Sequence, residues 1–216
     1  MTFLTAGTFN FDRTTVLINF EASDPMAANN FEGETSYFDV YTSSPLEASQ
    51  SVEGTSDFDW IATTDIPTPR TDSYGNPIER RMATEVGSSG TMVLRICVQD
   101  PSAYAGGRDD DYYAILEGDG DFKLNRKDSS NSDFATELAR ASSDVPNSEG
   151  DEFVIGLETT DTDVTARLYE HSGNGVAGNE LREMTVSDTT HSGGYFGIGT
   201  GRGAGALADL VVEQPK

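Results

Sequence analysis

From residue 92 to residue 98 apolar side chains alternate strictly: Met92, Leu94, Ile96 and Val98 fall on one side of an extended chain, Val93, Arg95 and Cys97 on the other. Successive side chains of a strand point to opposite faces, so this spacing builds a sheet with one face in a core and the other partly wet. Comparable runs recur at 14–20, 37–42, 112–117, 121–126, 153–159, 164–171, 181–187, 195–200 and 207–213. That gives about ten strands, spaced as in sandwiches and barrels. Gly118-Asp119-Gly120 and the Thr160 to Asp163 tetrapeptide read as tight hairpin turns. Helical spacing occurs once, over 133–141, where Phe134, Leu138 and Ala141 follow an acidic cap position; one or two turns are expected there. The fold expected is all-β, a single antiparallel β-sandwich over 13–216. Residues 63–91, with Pro67, Pro69, Pro77, Gly75, Gly87 and Gly90, are expected to be mostly loop. Residues 1–12, carrying Phe3, Phe9 and Phe11, are expected to serve as a first strand or as an arm packed on a neighbouring subunit.

Charge sets the medium. The chain carries 37 Asp and Glu against 14 Lys and Arg, a formal net charge of -23, and its lysines are Lys123, Lys127 and Lys216 alone. At low ionic strength such a density repels itself, whereas in molar salt the screening length shrinks to about 3 Å. An acidic, halophilic protein is expected. Disorder is the rival account, but 11 Phe and 8 Tyr are spread along the chain and the acid is not blocked into one tract. The scattered arginines form no basic stripe, so no nucleic-acid partner is expected, and anionic membrane surfaces are disfavoured.

Cys97 is the single cysteine and lies inside an apolar run, which reads as a buried, inert thiol. The N-terminal residues show neither a basic region nor a long apolar run, and no stretch approaches the roughly 20 apolar residues of a membrane span. Neither a secretory signal nor membrane insertion is therefore expected. The chain is expected in the cytosol, or outside the cell as part of an assembly.

From residue 91 onward the order of elements resembles the concanavalin A-like jelly roll of laminin-G-type, lectin and glucanase modules. The resemblance is carried by the strand at 92–98, the hairpin around Gly118, the hairpin at 153–171, the Gly-rich 193–201 and the closing strand at 207–213; Asn19 to Glu21 and the segment at 44–55 are similar to the opening of such modules. It implies that the last strand, bearing Asp209, returns beside the first. It also implies a structural calcium between those strands, involving Glu21 and Asp209, or at a rim loop such as that of Asp109, Asp110 and Asp111.

Glucanases on this fold carry a Glu-x-Asp-x-x-Glu strand, which is missing here. Glu117, Asp119 and Asp121 have alternate spacing but belong to a glycine turn. His171 and His191 lie in no nucleophile or zinc motif. The run Gly197 to Gly205 mimics a dinucleotide fingerprint, yet a strand rather than a helix follows it. Calcium has more support, because hard oxygen ligands are abundant. Sugar binding needs an aromatic platform with polar neighbours. Trp60, the only Trp, sits beside acids, while Tyr104, Arg108, Tyr112 and Tyr113 surround the Asp-rich loop.

The function expected is therefore non-enzymatic. The chain is expected to be an exposed structural or attachment module of a virion infecting a halophilic host, such as a turret, fibre, spike or tail-associated protein. It would be assembled in the host cytoplasm with other virion proteins, oligomeric, and would contact host surface glycans. The alternative is a secreted or cell-surface carbohydrate-binding module of a halophile.

Overall fold

The structure is a computed structural model. It describes residues 15–18, 31–33, 38–41, 51–54, 60–67, 75–88, 90–101, 110–130, 135–142, 145, 147–173, 177–199 and 207–215; for those before 75, Ala62 excepted, and from 207 onward it describes the backbone alone.

Two antiparallel sheets form a sandwich, as the alternation predicts. One sheet runs, in spatial order, β10 (Thr136–Ala141), β9 (Phe122–Lys127), β8 (Asp111–Leu116), β7 (Val93–Val98), β14 (Tyr195–Gly199), β5 (Trp60–Pro67) and β2 (Phe31–Gly33). The other runs β13 (Ala177–Ser187), β12 (Asp163–His171), β11 (Glu152–Thr159), β6 (Ile78–Glu85), β15 (Leu207–Pro215), β4 (Ser51–Gly54) and β3 (Phe38–Tyr41), with β1 (Thr15–Ile18) also on β15. The last strand does lie beside the first, with Thr15 opposite Glu213. No helix long and apolar enough to cross a membrane occurs among the described residues.

The core lies between the layers. Met82, Ile155, Leu157 and Leu168 from the eight-stranded sheet meet Leu94, Ile96, Leu116, Phe122, Leu124 and Phe196 from the seven-stranded one. Removing each such side chain from water contributes about 1.5–3 kcal/mol. Cys97 is fully buried, its Sγ 4.0 Å from Thr159 Oγ1 of the opposite layer. It adopts φ 59 at a bulge, and the adjoining Gly194 (φ 96) has no room for a Cβ, which would stand 2.5 Å from the Val98 carbonyl oxygen. Bulges at strand ends re-aim the chain, and this one sits where β7 leaves the sheet.

Three local expectations are corrected. Cys97, expected on the face opposite Leu94 and Ile96, packs with them in the core, and Val98, expected beside them, joins Val93 on the outer face, because the bulge at Cys97 shifts the strand parity. The helical turn expected over 133–141 is instead the edge strand β10, paired to β9 with a bulge between Glu137 and Ala139. A helix of nine residues is marginal in isolation, whereas the free edge of β9 offers a ready ladder. The loop expected over 63–91 contains most of β5 and all of β6, which pairs with both β11 and β15. Its prolines misled: Pro67 closes β5 and Pro77 precedes β6, positions where a missing N–H costs little.

Candidate functional site

Two polar constellations stand out, one at a rim and one on a sheet face. The rim site gathers the start of β8, the end of β9 and the β13–β14 connection. Tyr112 Oη donates to Asp188 Oδ1 at 2.6 Å, Arg126 Nη1 reaches Asp188 Oδ2 at 2.6 Å, and the Thr190 amide donates to Asp188 Oδ1 at 2.8 Å. Burial works against the charged form of Asp188, but these donors outweigh it and hold the carboxyl at about 2. The strapped connection sets His191 beside Tyr112, ring centroids 5.2 Å apart, with the His191 amide 3.1 Å from Tyr112 Oη.

There Asp110, Asp128 and His191 bring one potential ligand atom each to within 4.8 Å of the others. His191 Nε2 lies 2.8 Å from the Lys127 carbonyl and 3.2 Å from Asp128 Oδ1. A carbonyl only accepts, so Nε2 carries the proton and orients Asp128 instead of offering a lone pair. The oxygens left for a cation belong to the Asp110 and Asp128 carboxylates, hard donors of the kind calcium takes, and a cation there shares them with Arg126, whose Nε donates to Asp128 Oδ2 at 3.0 Å, and with the Ser129 amide, which donates to Asp110 Oδ1.

The second constellation covers the outer face of the eight-stranded sheet. Strand register lines up Arg81, Gly156, Arg167 and Glu183 in one row, and Glu158, Thr165 and Thr185 in the next, with Glu79 two residues before Arg81 on the same face of β6. Arg167 Nη1 donates to Glu79 Oε1 at 3.0 Å and to Glu158 Oε2 at 3.2 Å, while its Nε reaches Glu183 at 2.6 Å. Tyr169 Oη donates to Glu79 at 3.0 Å and accepts from Arg81 Nη2 at 3.0 Å; the Arg81 guanidinium also lies 4.3 Å from the Tyr169 ring centroid and pairs with Glu79. Burial alone would disfavour the Arg167 cation, yet its carboxylate partners push its pKa upward. Gly156 makes the arrangement possible, because a Cβ there would stand 2.5 Å from Glu79 Oε1. Glu79, Glu158, Arg167 and Tyr169 are buried, whereas Glu180 and Glu183 are nearly half exposed.

The residues singled out from sequence scatter. Asp110 joins the rim site. Asp111 does not: it is fully buried in an ion pair with Arg95, and desolvation pushes its carboxyl well up, with Lys127 opposing. Tyr112 is fully buried, so its ring offers no face for stacking and its role is to hold Asp188. Tyr113 is part-buried on the outer face of the seven-stranded sheet, beside Val93, Ile115 and Tyr195. Trp60 pairs with Gly199 in β5 and Asp209 lies in β15, both described by backbone only. Glu21, Tyr104, Arg108 and Asp109 lie outside the described residues. Glu117 and Asp121 pair with Lys123 and Arg140, and Asp119 caps the turn, consistent with a hairpin role. His171 pairs with Glu152. The face array went unnoticed in the sequence, although Glu79 and Arg81, and Arg167 and Tyr169, are charged or phenolic groups at alternate strand positions.

No protein-family model matches the chain, and no curated protein matches it. Solved structures do. The chain is similar to the carbohydrate-binding module CBM66 from Bacillus subtilis, at 13% identity over 95% of this chain and 97% of that one, TM-score 0.54. It is similar to the Ca2+-bound exoplasmic/lumenal domain of VIP36, at 16% identity over 92% and 88%, TM-score 0.54. It is also similar to the CBM2 module of Lactobacillus casei BL23 phage J-1 evolved Dit, at 10% identity over 94% and 96%, TM-score 0.52. The shared fold is the concanavalin A-like jelly roll. At these identities the likeness is one of architecture, and function has to be argued from the sites.

Proposed function

We propose that this chain is a non-catalytic carbohydrate-binding module that meets its glycan on the outer face of the eight-stranded sheet. The observation that carries the reading is the Arg81–Tyr169–Glu79–Arg167–Glu158 array. Sugars are recognised by carboxylates, guanidiniums and phenols held rigid enough to meet several hydroxyls at once. Here the buried members orient the more accessible ones: Glu79 and Arg167 fix the part-buried Arg81 and the exposed Glu183. The likeness to two similar folds, a carbohydrate-binding module and a phage module of the same kind, supports the same reading.

The array argues for binding without turnover. Glu79 and Glu158 lie 3.0 and 3.2 Å from one nitrogen, so the oxygens facing it stand no more than about 6 Å apart, which makes them the carboxylate pair to weigh for glycosidase chemistry. The Arg167 guanidinium, however, occupies the space between them, where a scissile bond would have to sit. A glycan array probed in molar KCl tests the reading, with binding lost in Arg81→Ala; a blank array would remove it.

A structural calcium at the rim belongs to this proposal, held by the Asp110 and Asp128 carboxylates. The likeness to a Ca2+-bound VIP36 domain supports it, as does the oxygen donor set. A second reading, attachment on the surface of a virion infecting a salt-adapted host, is favoured by the likeness to a phage module and by the net charge of -23. It predicts that the protein copurifies with particles and self-associates; a monomer in molar salt, absent from particles, would count against it.

A further inference from the structure

We infer that the glycan taken by the outer sheet face is neutral, and that carboxylated and sulfated polysaccharides are disfavoured. The inference rests on the carbohydrate-binding reading above and specifies its ligand. Acidic sugars are captured by arginines whose N–H groups are available to a second anion, the planar fork meeting two oxygens together. Among the described residues of this face the arginines are Arg81 and Arg167, and both are already charge-paired with carboxylates of the face. Arg167 donates to Glu79, Glu158 and Glu183. Arg81 pairs with Glu79, donates to Tyr169 and lays its plane against that ring.

The surrounding charge points the same way. Register places Glu79, Glu85, Glu152, Glu158, Glu180 and Glu183 on this side of β6, β11, β12 and β13, against those two guanidiniums. The exposed members of the set, Glu180 and Glu183, are the groups an incoming chain meets first. An anionic sugar would have to approach these carboxylates with no guanidinium whose charge is not already balanced by one of them. Hydroxyl groups face no such barrier, because a carboxylate accepts from a hydroxyl as readily as from a guanidinium.

The test is biolayer interferometry in molar KCl with immobilised mannan, pullulan, polygalacturonate and dextran sulfate as probes. Binding to a neutral polymer, with measurable but at least about tenfold weaker binding to the two anionic ones, is the expected result. Binding to polygalacturonate or dextran sulfate at least as tight as to the neutral polymers overturns the inference and leaves the carbohydrate-binding reading standing. Binding to none of the four overturns the inference as well, and the wider glycan array then decides the reading beneath it. The charge argument has its own readout: Glu183→Gln removes one partner of Arg167 at an exposed position and is expected to raise polygalacturonate binding about two- to fivefold. A merely structural role for Glu183 predicts no such gain, and an unchanged affinity in a variant that melts like the parent would also overturn it.

Discussion

Tyr112 and Asp188 are 76 residues apart in sequence, yet the phenol donates to the carboxylate at 2.6 Å and ties the core of the seven-stranded sheet to the connection that carries His191. The low value of about 2 for Asp188 makes this tie pH-dependent. A depressed carboxyl contributes stability that is present above its unfolded value of about 3.9 and is lost as pH falls through the folded one. The full contribution is about 2–3 kcal/mol. Asp188→Asn should therefore lower stability by about that amount at neutral pH and flatten the acid limb between about pH 4 and 2. Urea titrations of both proteins across that window check it, and parallel acid limbs would show that Asp188 contributes nothing.

Arg167 serves four carboxylates, two of them buried. Arg167→Met should cost about 3 kcal/mol, because Glu79 and Glu158 are left facing each other without the guanidinium that stood between them. Adding Glu158→Gln should recover a substantial part of the loss. Equilibrium denaturation of the double-mutant cycle measures the coupling, and purely additive effects would show that the array is not a unit.

Calcium at the rim has a thermal signature. At ten times its dissociation constant a site stabilises by about 1.4 kcal/mol, worth about 3–5 °C in a chain of this size. Thermal melts with calcium and with chelator should differ by that amount in the parent and coincide in Asp128→Asn. Coincident melts in the parent would remove the site.

The charge of -23 predicts a fold that needs salt. Screening reaches about 30 Å at 0.01 M and about 3 Å at 1 M, so the melting temperature should climb steeply with KCl and keep climbing into the molar range. Circular dichroism melts along a KCl series follow this directly. A native spectrum retained in salt-free buffer would contradict halophilic adaptation.

The sandwich was legible because alternation is a local signal. β7, β8, β9, β11 and β12 announce themselves through apolar side chains two residues apart, and their turns through Gly118, Gly120 and the Thr160 to Asp163 tetrapeptide. β10 was not legible, since its conformation is decided by the free edge of β9 and not by its own residues. The sites were less legible still. Asp110 and Asp111 are neighbours in sequence, but one faces the rim and the other is buried with Arg95, a difference that strand parity sets once the start of β8 is known. Asp128 and His191 come together from distant connections, and the partners of Arg167 come from β6, β11 and β13, so only tertiary pairing reveals either constellation.

Cys97, sealed between the layers, gives the protein a built-in reporter. With one thiol in the chain, a maleimide can react only when the sheets part, so labelling kinetics at each salt concentration would read the opening rate of the sandwich without any engineered probe.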